Sequence, residues 1–365
     1  MHGPDSGSGL YCLDDAILPT PPSSASDSGA ARRPVTRVLH RPSNLPEVRI
    51  VARPSARIAA QKTAARTVGD GWSLRAIGDL HILTANIFQS QPWLLHGFST
   101  RSGGASRLAG RSVLNLGFTN WDSRKNVQEN RSKFVRAMSK GGLPAAQHLI
   151  SLRQVHSDIV HVFSEPPSEP QQGDAAITRV PGLLLAVQNA DCVPILLADS
   201  RTRAVTAIHA GWRGTLARIV TKTLGRMRFE FGTRPEDVIA AVGPAIGPCC
   251  YEVGPEVAQA FLGQFPNAAE WFEGPFDRLS SGEEPNPLPW LTMMPPGHEP
   301  PPERVQLDLR SANWSQLIEA GVKPRNIAVS MLCTGCRSDL FFSYRNEGAN
   351  TGRMLAVIGI RGEVR

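Results

Sequence analysis

Three short apolar runs, at 183–188, 193–198 and 204–209, follow one another with only a few turn residues between them. Their length and their Leu, Val and Ile content fit strands, and the Asn, Asp, Ser and Arg residues between them fit turns. A helix-period segment follows at 211–229. Its Leu216, Ile219, Val220, Thr223, Leu224 and Met227 recur every three to four residues and so share one face. Further strands are predicted at 238–242, 327–332 and 354–360. Helices are predicted at 126–138, with Val127, Phe134, Val135 and Met138 as the apolar residues, and at 255–265. Another is predicted at 309–320, where Gly321 supplies a stop. This alternation predicts an α/β fold, a single compact domain with a mixed β-sheet and flanking helices. At 365 residues, 41% of them hydrophobic, such a chain has the material for a sizeable core.

The flanking sequence differs in kind. Residues 1–78 are dominated by Pro, Ser, Ala and Arg and lack hydrophobic periodicity, so they are read as a basic disordered tail preceding a domain at 79–365. Between positions 30 and 68 there are nine Arg or Lys against one acid, Glu47, so most of the net charge of +7 sits there. The rest is close to neutral, which argues against nucleic acid as a partner of the folded part. The arginine-rich, acid-poor composition resembles an organellar transit peptide, a minor alternative to a cytoplasmic protein. A second Pro-rich stretch near 274–304 is read as a loop insertion. No apolar run reaches the ~18–20 residues that span a bilayer, so no membrane partner is expected. A monomer is the favoured state.

The six cysteines, Cys12, Cys192, Cys249, Cys250, Cys333 and Cys336, are too sparse for a disulfide scaffold and point to a reducing compartment. Of the nine histidines, His2, His40 and His298 lie in tail or loop, and His96 reads as a core or turn residue. Three polar clusters at the edges of apolar segments resist a packing explanation: Gln154-Val155-His156, Asn189-Ala190-Asp191-Cys192 and His209-Ala210-Gly211-Trp212-Arg213-Gly214. An antiparallel pairing of the strands after Cys192 and before His209 would bring those two residues to one edge. Two imidazoles and a thiolate suit Zn²⁺ and leave a fourth position for water or substrate. The same set also occurs around copper, and without metal Cys192 and a histidine make a nucleophile–base pair. Spacing alone does not separate the three. Gly211 and Gly214 permit close backbone approach, and Arg213 in the first turn of a helix suggests an anionic partner such as phosphate. Cys333-Thr334-Gly335-Cys336 and Cys249-Cys250 would together supply four thiolates. The sequence is read against that grouping, because vicinal cysteines rarely fit one tetrahedron. No phosphate-loop, dinucleotide or H-E-x-x-H motif is present.

These residues also resemble a known family. From about 94 to 361 the chain is similar to YfiH-like proteins, long labelled multicopper polyphenol oxidase or laccase-domain proteins. The matching blocks stand in order: Gly97-Phe98-Ser99-Thr100-Arg101-Ser102-Gly103-Gly104, Leu114-Asn115-Leu116-Gly117, Asn130-Arg131, Gln154-Val155-His156, Gly173-Asp174-Ala175-Ala176, Ala190-Asp191-Cys192, the His209–Gly214 block, Gly243–Cys249, and Phe342-Ser343-Tyr344-Arg345 with Thr351-Gly352-Arg353. The resemblance implies a YfiH-like fold and a metal site at His156, Cys192 and His209, with Zn²⁺ as cofactor and Cu²⁺ as an alternative. It implies phosphorolysis of adenosine, inosine, guanosine or methylthioadenosine, with adenosine deamination as a side activity. Amide hydrolysis of peptidoglycan precursors and laccase-like oxidation are the alternatives. Arg101 and Arg213 are assigned to phosphate, Asn115 and Gln188 to sugar or base, and Asp174 or Asp191 to orienting the histidines. The tail, the Pro-rich insertion and Cys336 depart from the family pattern.

Overall fold

The computed structural model describes residues 65–69, 71–138, 148–274 and 304–362. Most of the expected tail and of the Pro-rich insertion therefore lies outside the described residues. Within them the strands form two large sheets rather than the one expected. The first has seven strands in the order Ala65–Thr67, Trp72–Ile77, Leu80–Ala85, Leu94–Ser99, Met354–Ile360, Leu183–Asn189 and His148–Ser151. The second has six, in the order Ile327–Val329, Val238–Val242, Val193–Asp199, Val205–Ala210, Ala175–Thr178 and Val160–Phe163. Both are mixed. The first is antiparallel except where Leu183–Asn189 meets His148–Ser151, and the second is parallel only in its two outermost pairs.

Period-two alternation decides how the layers stack. Leu185 and Val187 face the same cluster as Ala356, Ile358, Leu196, Ala198, Val205 and Ala207, so the two sheets pack face to face. The alternate residues Leu184 and Ala186 join Leu355, Val357, Phe134 and Met138, which belong to or underlie the helix Arg124–Met138. On the far face of the second sheet, Val193, Ile195, Leu197 and Ile208 pack on Ile219, Leu224 and Met227 of the helix Ile219–Phe231. Phe261 of Pro255–Gln264 and Leu317 of Leu309–Glu319 complete that layer. The central strands are thus buried on both faces. That is why they read as continuous apolar runs and not as alternating ones.

Two boundaries differ from expectation. The strand Trp72–Ile77 lies before the domain start expected at 79, and it pairs with Leu80–Ala85 across a tight turn. The helix expected at 211–229 is two helices, Trp212–Leu216 and Ile219–Phe231. Arg218 between them is left-handed, with φ 59°. Among the described residues no helix is long and apolar enough to cross a membrane.

Candidate metal centre

The strand register builds the centre. Val193–Asp199 and Val205–Ala210 are antiparallel, with Val193 opposite Ala210 and Pro194 opposite His209. Cys192 and His209 therefore share an edge, the consequence expected of an antiparallel pairing. On the other side of Val205–Ala210 runs Ala175–Thr178, also antiparallel, and the His209 N–H donates to the carbonyl of Asp174 at 2.8 Å. The third residue, His156, comes from the segment between His148–Ser151 and Val160–Phe163. The ligand atoms of His156, Cys192 and His209 all lie within 4.8 Å of one another, so the three could hold a metal ion. Cys192 Sγ is 3.7 Å from His156 Nε2, and the two imidazole rings meet edge to face at 5.0 Å.

Asp174 organises this edge. It is fully buried, and its carboxylate accepts from His209 Nδ1 at 2.9 Å. It also accepts from the backbone N–H groups of Val155, His156 and Ser157 and from the Ser157 hydroxyl. With Nδ1 so engaged, His209 turns Nε2 toward Cys192, the arrangement by which carboxylates fix ligand histidines. His156 has a left-handed backbone, φ 57°, and Asp191 an outlying φ of 98°. For residues with a Cβ such conformations persist only where the surroundings impose them. The bonds to Asp174 do so for His156. For Asp191 the Thr334 hydroxyl and the Arg345 N–H donate to the carboxylate, both at 2.6 Å, and the Ile246 N–H donates to its carbonyl.

The charges are coupled. Burial pushes the Cys192 thiol up, but the positive charge of His209 and the hydrogen bond from His156 outweigh it and hold the thiol down to about 7. Burial opposes protonation of His209, but the Cys192 and Asp174 charges outweigh it and push the imidazole up to about 10. Burial also raises the Asp174 carboxyl, and the bonds from His209 and Ser157 reverse this, to about 2. The three groups thus favour one another's charged forms, negative on Cys192 and Asp174 and positive on His209. Gly211 closes the centre. A Cβ there would lie 2.7 Å from His156 Cδ2 and 3.1 Å from Cys192 Sγ, so a side chain at this position would push on both ligands.

The other expected site residues are placed unequally. Gln188 joins the same edge: its N–H donates to Gln154 Oε1 and its carbonyl accepts from Gln154 Nε2, two residues before His156. Its own Oε1 lies beside Gly117, where a Cβ would come within 2.7 Å of it. Arg213 stands two residues after Gly211 and stacks at 4.4 Å on the Trp212 ring. Arg101 is engaged elsewhere, donating to Glu347 at 2.6 Å and to the carbonyls of Ser338 and Phe341. Asn115 meets a physical obstacle as a sugar or base ligand. It is fully buried, its amide donates to Thr119 and Asp122, and its carbonyl accepts from Gly117 and Arg353. Of the two candidate orienting acids, Asp174 touches His209, whereas Asp191 braces the backbone before Cys192. Ser157 stands in none of the sequence motifs, and Thr334 and Arg345 stand in motifs that assign them no role at this centre. Ser157 adjoins His156, but Thr334 and Arg345 lie more than a hundred residues from Asp191 and carry no local signal.

Comparison with known proteins agrees with this architecture. The family model described as multi-copper polyphenol oxidoreductase laccase matches residues 95–361. A protein of Bacteroides thetaiotaomicron named purine nucleoside phosphorylase is 33% identical, over 77% of this chain and 97% of its own. A mouse protein bearing the same enzyme name is 30% identical over 78% of this chain, but the chain spans only 59% of that relative's length. The crystal structure of YlmD from Geobacillus stearothermophilus superposes with a TM-score of 0.63 at 30% identity, covering 82% of this chain and 100% of that one. With the family model spanning most of the folded part and the same layered sheets in a solved relative, the chain belongs to the laccase-described, YfiH-like family.

Proposed function

We propose that the chain is a zinc-dependent purine nucleoside phosphorylase, acting on adenosine, inosine, guanosine or methylthioadenosine, with His156, Cys192 and His209 as its metal ligands. The observation that carries this reading is the convergence of two imidazoles and a thiolate, with Asp174 fixing one imidazole, in a chain whose relatives bear the phosphorylase name. The donor set fits one ion of the zinc class, and three protein ligands are the pattern of open sites. When bound, such an ion supplies Lewis acidity toward an oxygen of substrate or water.

In phosphorolysis a phosphate oxygen bonds to the anomeric carbon as the bond from that carbon to the purine nitrogen breaks. The electron pair leaves with the base, which takes up a proton. Arg213 orients the phosphate in this scheme, and Gln188 contacts sugar or base at the same edge. Arg101 and Asn115, tied to Glu347 and Asp122, act by holding the surrounding loops. Adenosine deamination is the expected side activity. Cys192→Ala is expected to abolish both reactions and metal binding, and undiminished adenosine phosphorolysis by that variant would sink the proposal.

A second reading has one observation in its favour. The Cys192 thiol, held down beside His209, is a ready nucleophile, as a cysteine amidohydrolase acting on peptidoglycan precursors would require. It predicts activity that survives chelation and dies on thiol alkylation. The laccase reading predicts copper on purification and oxygen uptake with phenols, yet three ligands serve a single ion and not a multicopper cluster.

A further inference from the structure

Away from the histidine centre, two loops leave the second sheet side by side. Val238–Val242 and Ile327–Val329 are parallel neighbours, so the chains that follow them emerge at the same edge. The pairing continues as a bridge between Ala245 and Cys333, with the Thr334 N–H donating to the Ala245 carbonyl at 3.1 Å. One loop then turns through Gly247-Pro248-Cys249-Cys250, where the N–H groups of Cys250 and Tyr251 both donate to the Gly247 carbonyl. The other turns through Cys333-Thr334-Gly335-Cys336.

The turns gather the four sulfurs. All lie within 4.8 Å of one another, and Cys336 Sγ is 3.4 Å from both Cys249 Sγ and Cys250 Sγ. Four sulfurs around one zinc-sized ion at ~2.3 Å stand about 3.8 Å apart by tetrahedral geometry. The observed spacing fits one ion and leaves no room for a multi-iron cluster. The objection that vicinal cysteines do not fit one tetrahedron is met by the turn and by two glycines. A Cβ on Gly335 would lie 3.0 Å from Cys250 Sγ, and one on Gly247 would lie 3.3 Å from Cys249 Sγ.

We propose that Cys249, Cys250, Cys333 and Cys336 bind one divalent ion of the zinc class through four thiolates, a closed structural site distinct from the His156–Cys192–His209 centre. The buried Cys333 sulfur already accepts from the N–H groups of Gly247 at 3.2 Å and Cys336 at 3.5 Å, donors that stabilise a thiolate. Burial raises the Cys333 thiol, and these N–H bonds outweigh it and hold it down. Burial and the neighbouring sulfurs push Cys249 up to about 12 and Cys250 up as well. A divalent ion bound by the four sulfurs supplies positive charge among them, and each thiol it binds gives its proton to solvent. With four protein ligands there is no open position, so the role is to clamp the two loops. Both loops reach Asp191, through Thr334 Oγ1 and the Ile246 N–H, and Asp191 leads into Cys192. The clamp thus steadies one wall of the other centre without taking part in its chemistry.

The test is zinc content and cobalt spectroscopy on the full chain purified under reducing conditions. Wild type is expected to carry two zinc ions per chain. The H156A/C192S/H209A variant should carry one, and its cobalt form should show the intense sulfur-to-metal charge transfer of a four-thiolate tetrahedron. In C249S/C336S, which alters the two exposed cysteines, that signature should vanish while one ion remains. Wild type also serves without mutation: iodoacetamide should label the peptides bearing these four cysteines only after chelation. A histidine-centre variant that binds no metal would overturn the proposal. So would equal labelling before and after chelation, or an intact mass showing a disulfide among the four. None of these three overturning results depends on what the histidine centre does, whereas failure of that centre alone would leave wild type with one ion and the cobalt signature intact.

Discussion

Asp174→Asn puts an amino group in place of one oxygen of a buried carboxylate that five donors share. Oδ1 accepts from the His156 N–H and from His209 Nδ1, and Oδ2 accepts from the N–H groups of Val155 and Ser157 and from the Ser157 hydroxyl. Whichever way the amide turns, two backbone or ring donors face an NH2. Each unsatisfied buried donor costs about 1–3 kcal/mol, which puts the loss of stability for two at about 2–6 kcal/mol. If the amino group faces His209, the imidazole escapes by moving its proton to Nε2, the nitrogen that ligation needs. Metal affinity should then fall about 10–100-fold. Urea unfolding of the metal-free protein reads the first effect, and competition with a chromophoric chelator reads the second. A variant within about 0.5 kcal/mol of wild type, the scatter of inconsequential substitutions, with unchanged affinity would refute the reasoning. The native carboxyl carries a related pH signature. Its folded value of about 2 lies below the ordinary 3.8, so its contribution of about 2 kcal/mol is complete above pH 4 and is lost as pH falls through 2.

Gly211→Ala should empty the histidine centre of metal while leaving the fold intact. Its φ of −73° suits alanine, but the new methyl meets His156 and Cys192, as metal analysis and circular dichroism would show. Gly225→Ala, a helical glycine with nothing within 4 Å of a new Cβ, is the contrast and should stabilise by about 0.5–1 kcal/mol on thermal unfolding. Metal affinity at the histidine centre should rise with pH between 7 and 10. The His209 proton, held there by Cys192 and Asp174, must leave before Nε2 can ligate, so calorimetry in buffers of different ionisation enthalpy should detect proton release that fades toward pH 10.

Much of this was legible in the sequence because burial leaves a pattern. The strands Val238–Val242 and Met354–Ile360 begin and end where the apolar runs do. His156, Cys192 and His209 stood out because polar residues at the ends of apolar strands lack a packing reason. Other features depended on contacts that no local pattern encodes. Whether Leu184 and Leu185 face one sheet or two layers is settled by distant partners, so two stacked sheets read as one. Arg218 sits within an unbroken helical spacing, yet its left-handed backbone divides the helix. Trp72–Ile77 is a strand whose short apolar signal was masked by the Arg- and Pro-rich stretch before it. Asn115 has a side chain that suits a ligand as well as a buried knot, and only its burial and its four partners distinguish the two. The adjacency of Cys249 and Cys250 gives no sign of the turn and the two glycines that let both sulfurs stand 3.4 Å from Cys336 Sγ.

The most direct test of the central claim is the phosphorus spectrum of a reaction containing the zinc-loaded full chain, adenosine and inorganic phosphate. Ribose 1-phosphate should appear in step with free adenine, be lost on chelation and be absent for Cys192→Ala. Adenosine consumed with no new phosphate ester, or ribose 1-phosphate formed at the wild-type rate without the Cys192 thiol, would contradict the claim.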